Sequence, residues 1–241
     1  VNREPKDNER RVLSPPVNEG DRLRDLERSV ALVRDRVAQA ARRSGRRDDE
    51  VRVIGVTKGV AGEVVAAAVR AGLGEFGENY VQELETKRPR APDAIWHFVG
   101  RLQRNKAHRV LRAVEVVHTL EPGAAADRLA RLAEERPVDC LVEVDFTGRR
   151  VGVGPQEAEG FAERMAESRG IRVRGLMTVA PQGEDPRRAF AALRELRDRL
   201  RGRLEDAGEL SMGMSADLEA AVEEGATMVR VGTAIFGPRE V

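Results

Sequence analysis

From Gly45 onward the chain alternates short apolar runs with longer stretches of helical periodicity, a pattern that restricts it to folds in which helices cover a sheet. The apolar runs fall at 51–56, 73–76, 95–99, 114–117, 138–144, 173–177, 209–212 and 228–231, and they are apolar on successive residues. Strands of that kind are buried on both faces, as in a parallel sheet. Between them lie stretches rich in alanine, arginine and glutamate, among them 63–71, 124–135, 156–168, 186–204 and 215–224, several closed by a glycine such as Gly72, Gly170 or Gly225. Eight such units predict an α/β chain folded as a single (β/α)8 TIM barrel. If the short second and seventh strands are over-counted, the alternative is an open doubly wound sheet. Ahead of the barrel, Leu23, Leu26, Val30, Val33 and Val37 recur at steps of three and four, the signature of one extra helix laid against a larger core. Residues 1–20 carry three prolines and many charges without apolar periodicity, so a disordered leader is expected there, with the barrel domain spanning 21–241.

The charges exclude several partners. With 42 basic against 41 acidic side chains the net charge is +1, too small a field to gather nucleic acid or an anionic membrane surface. No apolar run approaches the ~20 residues that span a bilayer, and the first residues lack the apolar segment of a secretory signal, so a cytoplasmic protein is expected. The single cysteine, Cys140, lies in an apolar run and reads as core. Only four of the basic residues are lysines: Lys6, Lys58, Lys87 and Lys106.

In a parallel barrel the chemistry collects after the C-terminal ends of the strands, and phosphate commonly binds after strands seven and eight. Lys58 follows the first strand, where partial desolvation would lower its amine pKa and permit Schiff-base formation with an aldehyde. The alternative is a lysine that closes the strand and pairs with a carboxylate such as Glu78. Lys6 and Lys87 read as surface residues. Near the chain's end, Ser211, Gly213 and Ser215, the last as N-cap of a helix beginning at Ala216, face Gly232 and Thr233 across strands seven and eight and predict a phosphate cradle. Arg230 projects inward from the last strand and needs an acceptor, either a carboxylate or a ligand ring nitrogen. His97, His108 and His118 stand at no metal-motif spacing, and no metal is expected. The segment GRRVGVG at 148–154 lacks the full dinucleotide fingerprint. The arginine pairs at 42–43, 46–47 and 187–188 read as solvated faces.

The segments GVTKG (55–59), FGENYVQE (76–83), WHFVGRLQRNK (96–106), GLMTVAP (175–181) and LSMGMSADLEAAVEEGATMVRVGTAIFG (210–237) together resemble the pyridoxal-phosphate homeostasis protein family, barrel proteins similar to the cofactor-binding domain of alanine racemases. The resemblance implies pyridoxal 5'-phosphate (PLP) held as a Schiff base on Lys58. It implies a phosphate cradle from Ser211, Met214, Ser215, Gly232 and Thr233, Arg230 facing the pyridine nitrogen, and Asn79 lining the pocket. It further implies a role in intracellular PLP homeostasis, buffering or delivering the cofactor to PLP-requiring apo-enzymes, without catalytic turnover of its own. A monomer is expected. Three departures stand out: no second lysine follows in TKGVAGE, Arg150 occupies a place usually held by lysine, and the leader is additional.

Two other readings share the lysine and the cradle. A PLP-dependent amino-acid racemase needs a second acid/base opposite Lys58; only four residues follow Gly237, so no added β-domain is expected, and the sole tyrosine, Tyr80, opens the helix after strand two. A Schiff-base aldolase would act on a phosphorylated substrate instead. A purely structural barrel is the third possibility.

Overall fold

A computed structural model describes residues 19–238 of the chain. Eight parallel strands close into a barrel in sequence order: β1 (Arg52–Val56), β2 (Glu75–Glu78), β3 (Ile95–Phe98), β4 (Val116–Leu120), β5 (Val138–Glu143), β6 (Ile171–Met177), β7 (Glu209–Ser211) and β8 (Met228–Val231). The closing pair sets Ile54 beside Arg230 and Gly55 beside Val231. The first helix, α1 (Glu19–Arg43), precedes the barrel. Then α2 (Gly62–Arg70), α3 (Val81–Lys87), α4 (Ala107–Ala113), α5 (Ala124–Leu132), α6 (Ala158–Ala166), α7 (Pro186–Arg201) and α8 (Leu218–Glu223) alternate with the strands, and α9 (Thr233–Phe236) follows β8. The TIM-barrel reading with its extra N-terminal helix therefore holds, and the open sheet is excluded by the β1–β8 ladder.

Local chemistry explains the elements. In α7, Pro186 takes the first helical position, where a missing N–H costs nothing, and the Asp185 carboxylate accepts from the Arg187 amide at 3.0 Å. Ala189, Phe190, Leu193, Leu196 and Leu200 then form its buried stripe. In α1 the expected stripe is buried at Leu26, Val30, Val33 and Val37 and half-buried at Leu23, and the helix packs on α2, α8 and α9. It begins at Glu19, two residues before the expected start; the rest of the expected leader lies outside the described residues.

Two strands sit further along the chain than their apolar runs suggest. Leu73 is buried outside the barrel against Gly55, and β2 starts only at Glu75. Val114 caps the end of α4, and β4 runs on through His118 and Thr119, which the sequence pattern had placed beyond the strand. These polar residues are tolerated because the barrel interior is divided. One part is apolar, with Ile54, Leu141, Met177 and Met228 in contact. The other is a row of hydrogen-bonded polar side chains that includes His97, His118, Ser211 and Arg230.

The paired arginines are not simply solvated. Arg43 and Arg187 both pair with Glu223, Arg194 with Glu224 at 2.5 Å, and Arg46 donates to the Val222 carbonyl at 2.9 Å. Arginines from α1, α7 and the turn after α1 thus fasten the short α8 on either side.

Candidate functional site

The backbone on both sides of Lys58 is pinned by one buried cluster. Lys87, from α3, donates to the Thr57 carbonyl, to Glu78 Oε1 and to Glu83 Oε2, each at 2.6 Å. Glu83 in turn accepts from the Gly59 amide at 2.8 Å, and Thr57 Oγ1 donates to Glu78 Oε1 at 2.7 Å. Burial works against charge on Glu83, but the hydrogen bonds from Lys87 and Gly59 hold its carboxyl below the usual range. Lys87 is therefore no surface residue; it is 5% exposed, and its ammonium is consumed by three oxygens. Glu78, which the alternative reading offered as a partner for Lys58, is hydrogen-bonded to Lys87 and Thr57 instead. Lys58 is half-buried and makes no hydrogen bond among the described residues, which leaves its amine available.

Across the β1–β8 seam, the Arg230 guanidinium lies inside the barrel. Its Nη1 donates to Ser211 Oγ at 2.6 Å and its Nη2 to the Thr178 carbonyl at 2.9 Å. Burial lowers its pKa to about 10, and the nearby Glu143 carboxylate does most to resist that shift, so the charge persists at neutral pH. Glu143 ends β5 beside Met177 of β6 and is pushed up to about 7 by burial, with Glu121 adding to the effect. For both groups burial outweighs their mutual attraction.

The loop after β7 and the start of α9 form one unit. Gly213 has φ of +90°, and a Cβ there would lie 2.4 Å from the Ala221 Cβ, so only glycine allows this loop to lie on α8. The Met214 amide donates to Asp217 Oδ1 at 2.6 Å. Ser215 does not cap a helix at Ala216. The helix starts at Leu218 with Asp217 as N-cap, and Ser215 Oγ instead accepts from the Ala234 amide of α9 at 3.2 Å. From α1, Arg36 donates to the Ser215 carbonyl at 3.0 Å and forks onto Glu219 at 2.6 and 2.9 Å.

Comparison with known proteins places this arrangement. Residues 29–240 match the family model of the alanine racemase N-terminal domain. A pyridoxal phosphate homeostasis protein of Aquifex aeolicus is 39% identical over 221 residues, covering 88% of this chain and 97% of the relative. One from Escherichia coli K12 is 36% identical over 231 residues, covering 90% and 98%. The chain belongs to the pyridoxal phosphate homeostasis protein family. Among solved structures, PipY of Synechococcus elongatus with PLP bound superposes with a TM-score of 0.78 at 32% identity, covering 88% of this chain and all of that one. Alanine racemase of Corynebacterium glutamicum, at 18% identity and a TM-score of 0.70, shares the barrel fold.

Set beside the residues that the resemblance to this family implied, the structure brings Ser211 and Arg230 into direct contact and joins the Ser215 loop to α9. Gly232 and Thr233 open α9, with Thr233 exposed at its start. Asn79 follows β2, half-buried, its backbone so close to Gly100 that a Cβ there would meet the Asn79 carbonyl oxygen at 2.1 Å. Ser211 is wholly buried, and its hydroxyl is engaged by Arg230 and His118; the Met214 amide is engaged by Asp217. The 148–154 loop is filled from within, because Asp145 accepts from the Thr147 and Arg150 amides at 2.8 Å. Cys140 is core, its thiol pushed up by burial, and no group of three metal-ligating side chains occurs among the described residues. Sequence reasoning named Lys87, Glu78, His97 and His118 without their roles, and did not single out Glu83, Arg36 with Glu219, or Asp217. Only the i,i+4 spacing of Glu83 and Lys87 was there to be read.

The donor set fits PLP: an amine that makes no hydrogen bond on a backbone held at Thr57 and Gly59, a buried guanidinium across the seam, and a glycine-dependent loop tied to a helix start. Two consequences can be measured. Lys87→Met strands buried Glu78 and is expected to cost about 3 kcal/mol in urea unfolding, and Lys87→Met combined with Glu78→Gln should recover part of the loss. Glu143 binds its proton more tightly folded than unfolded, so its own contribution to stability is fully present below its ordinary value of 4.5 and is lost as pH rises towards about 7. Glu143→Gln should therefore gain on wild type by about 2 kcal/mol between pH 5 and pH 8, and parallel stability curves would contradict the assignment.

Proposed function

We propose that this chain binds PLP through Lys58 and serves its intracellular homeostasis as a holding and delivery protein without catalytic turnover of its own. The observation that carries the reading is a Lys58 amine that makes no hydrogen bond among the described residues, on a backbone fixed by Lys87 and Glu83, just past the strand that pairs with the one carrying the charged Arg230. The names of the relatives and the PLP-bound PipY structure support it.

PLP supplies, when bound, an aldehyde, a pyridine nitrogen and a phosphate. Lys58 presents the amine that captures the aldehyde. Arg230 offers N–H donors to the ring nitrogen, and a guanidinium there disfavours a ring proton, which weakens the ring as an electron sink. The Ser215 loop with Gly232 and Thr233 receives the phosphate, while Ser211 and Asp217 hold Arg230 and the Met214 loop in place. Asn79 borders the lysine. In this reading the protein works as a cytoplasmic monomer and passes PLP to apo-enzymes that require it.

Turnover as a racemase needs a proton donor on the face away from Lys58. Tyr80 is 56% exposed at the start of α3 and is not placed for that role. Glu143, able to carry a proton near pH 7, is the one observation in favour of catalysis. Purified protein mixed with PLP is expected to show a visible absorbance band. Borohydride should make the attachment permanent and map it to Lys58, and Lys58→Ala should lose band and label together. Sustained racemisation or transamination of common amino acids, abolished by Glu143→Gln, would overturn the holding role. A colourless protein that borohydride links to a phosphorylated keto-substrate would favour the aldolase.

A further inference from the structure

The interior polar row continues well beyond Arg230. Ser211 Oγ lies 2.9 Å from His118 Nδ1, His118 Nε2 lies 2.9 Å from His97 Nδ1, and His97 Nε2 lies 3.0 Å from Glu75 Oε2. The row crosses the barrel from β8 through β7, β4 and β3 to β2. His97, His118 and Ser211 are fully buried. Glu75 ends the row at the opposite mouth, 3.8 Å from Arg52, in a cleft of about 540 Å³ lined also by Arg34, Asp48 and Asp49.

We propose that Glu75, His97, His118 and Ser211 form a hydrogen-bonded chain of fixed polarity that positions Arg230, which makes both histidines positioning residues of the cofactor pocket. The polarity follows from the two ends. A guanidinium only donates, so Ser211 Oγ accepts from Arg230, and the sole acceptor the described residues offer the serine proton is His118 Nδ1. His118 then carries its proton on Nε2 and donates to His97 Nδ1. His97 carries its own on Nε2 and donates to Glu75, a carboxylate that only accepts. Reading from Glu75 gives the same assignment. An imidazolium at His97 would reverse the His97–His118 bond, force a proton onto His118 Nδ1 and leave the serine proton with no acceptor inside a dry barrel. Burial, with the Arg230 charge adding, also holds the His118 pKa well below its ordinary value, in agreement with a neutral ring.

The chain gives Ser211 a task that the phosphate cannot share, since both its partners are protein groups. It fixes where the Arg230 guanidinium lies, and only that last link rests on the PLP reading.

The first test needs no cofactor. In long-range proton–nitrogen correlation spectra of histidine-labelled, PLP-free protein at pH 7, His97 and His118 should both appear as the Nε2–H tautomer, with exposed His108 as the internal reference. A proton on Nδ1 of either interior histidine overturns the chain. The second test reads Arg230. Ser211→Ala cuts the link and is expected to shift the visible band of bound PLP and to speed PLP release about tenfold, a change of about 1.4 kcal/mol, whereas Ser211→Thr should retain the wild-type band. An unchanged band and release rate in Ser211→Ala overturns the positioning role. Failure of the wild-type chain to take up PLP, with both tautomers as assigned, refutes the proposed function and leaves the chain standing.

Discussion

A guanidinium enclosed in a parallel barrel has to be hydrogen-bonded from within, and much of the interior of this protein is arranged around that requirement. Arg230 sits level with Ile54 in the β1–β8 ladder, where a barrel of this kind would ordinarily pack an aliphatic layer. Its two N–H contacts reach Ser211 of β7 and Thr178, the residue that follows β6. Meeting the serine's own needs then draws in β4, β3 and β2, so that five strands contribute a polar group to one connected row. No wholly buried side-chain nitrogen or oxygen among the described residues is left without a partner. Such a network is rigid because releasing any member strands its neighbours in a low-dielectric interior.

The lysine end of the site uses the opposite principle. Lys58 makes no hydrogen bond among the described residues, and Lys87 takes the hydrogen bonds of the two nearby carboxylates, Glu78 and Glu83. Glu78 is buried completely and Glu83 partly, and both are turned towards Lys87. Lys87 is their hydrogen-bonded counter-ion, and Lys58 adds only a longer-range attraction to Glu83. A chain that uses arginine at nearly every other basic position has kept lysine at both. A compact ammonium can place three donors on the Thr57 carbonyl and two carboxylates, which a planar guanidinium does less readily.

The barrel was legible because successive apolar residues and glycine-closed helices report burial on both faces, a property of the sequence itself. The strand ends were legible as a class, which is why Lys58, Ser215, Arg230 and Thr233 could be singled out. The offsets arose where burial and strand membership part company: Leu73 and Val114 are core residues outside any ladder, while His118 is polar and within one. The polar row could not be read at all. Its members are separated by between 19 and 93 positions along the chain, and each one alone is an unremarkable histidine, serine or glutamate. Closure of the barrel, which no local pattern encodes, is what brings them together.

The N-terminal helix is more than an addition to the barrel. The two helices behind the candidate cradle, Leu218–Glu223 and Thr233–Phe236, have six and four residues, too few to persist on their own in water. Their positions depend on what they pack against, and α1 packs against both. Its Arg36 reaches the Ser215 carbonyl and Glu219 together, so the loop and the helix beside it are held by one guanidinium. The acidic side chain lowers its pKa by this contact, and the arginine's rises, both from the shared hydrogen bond. The extra helix is thus a wall of the candidate site, and the geometry of the Ser215 loop depends on an element that contributes no strand to the barrel.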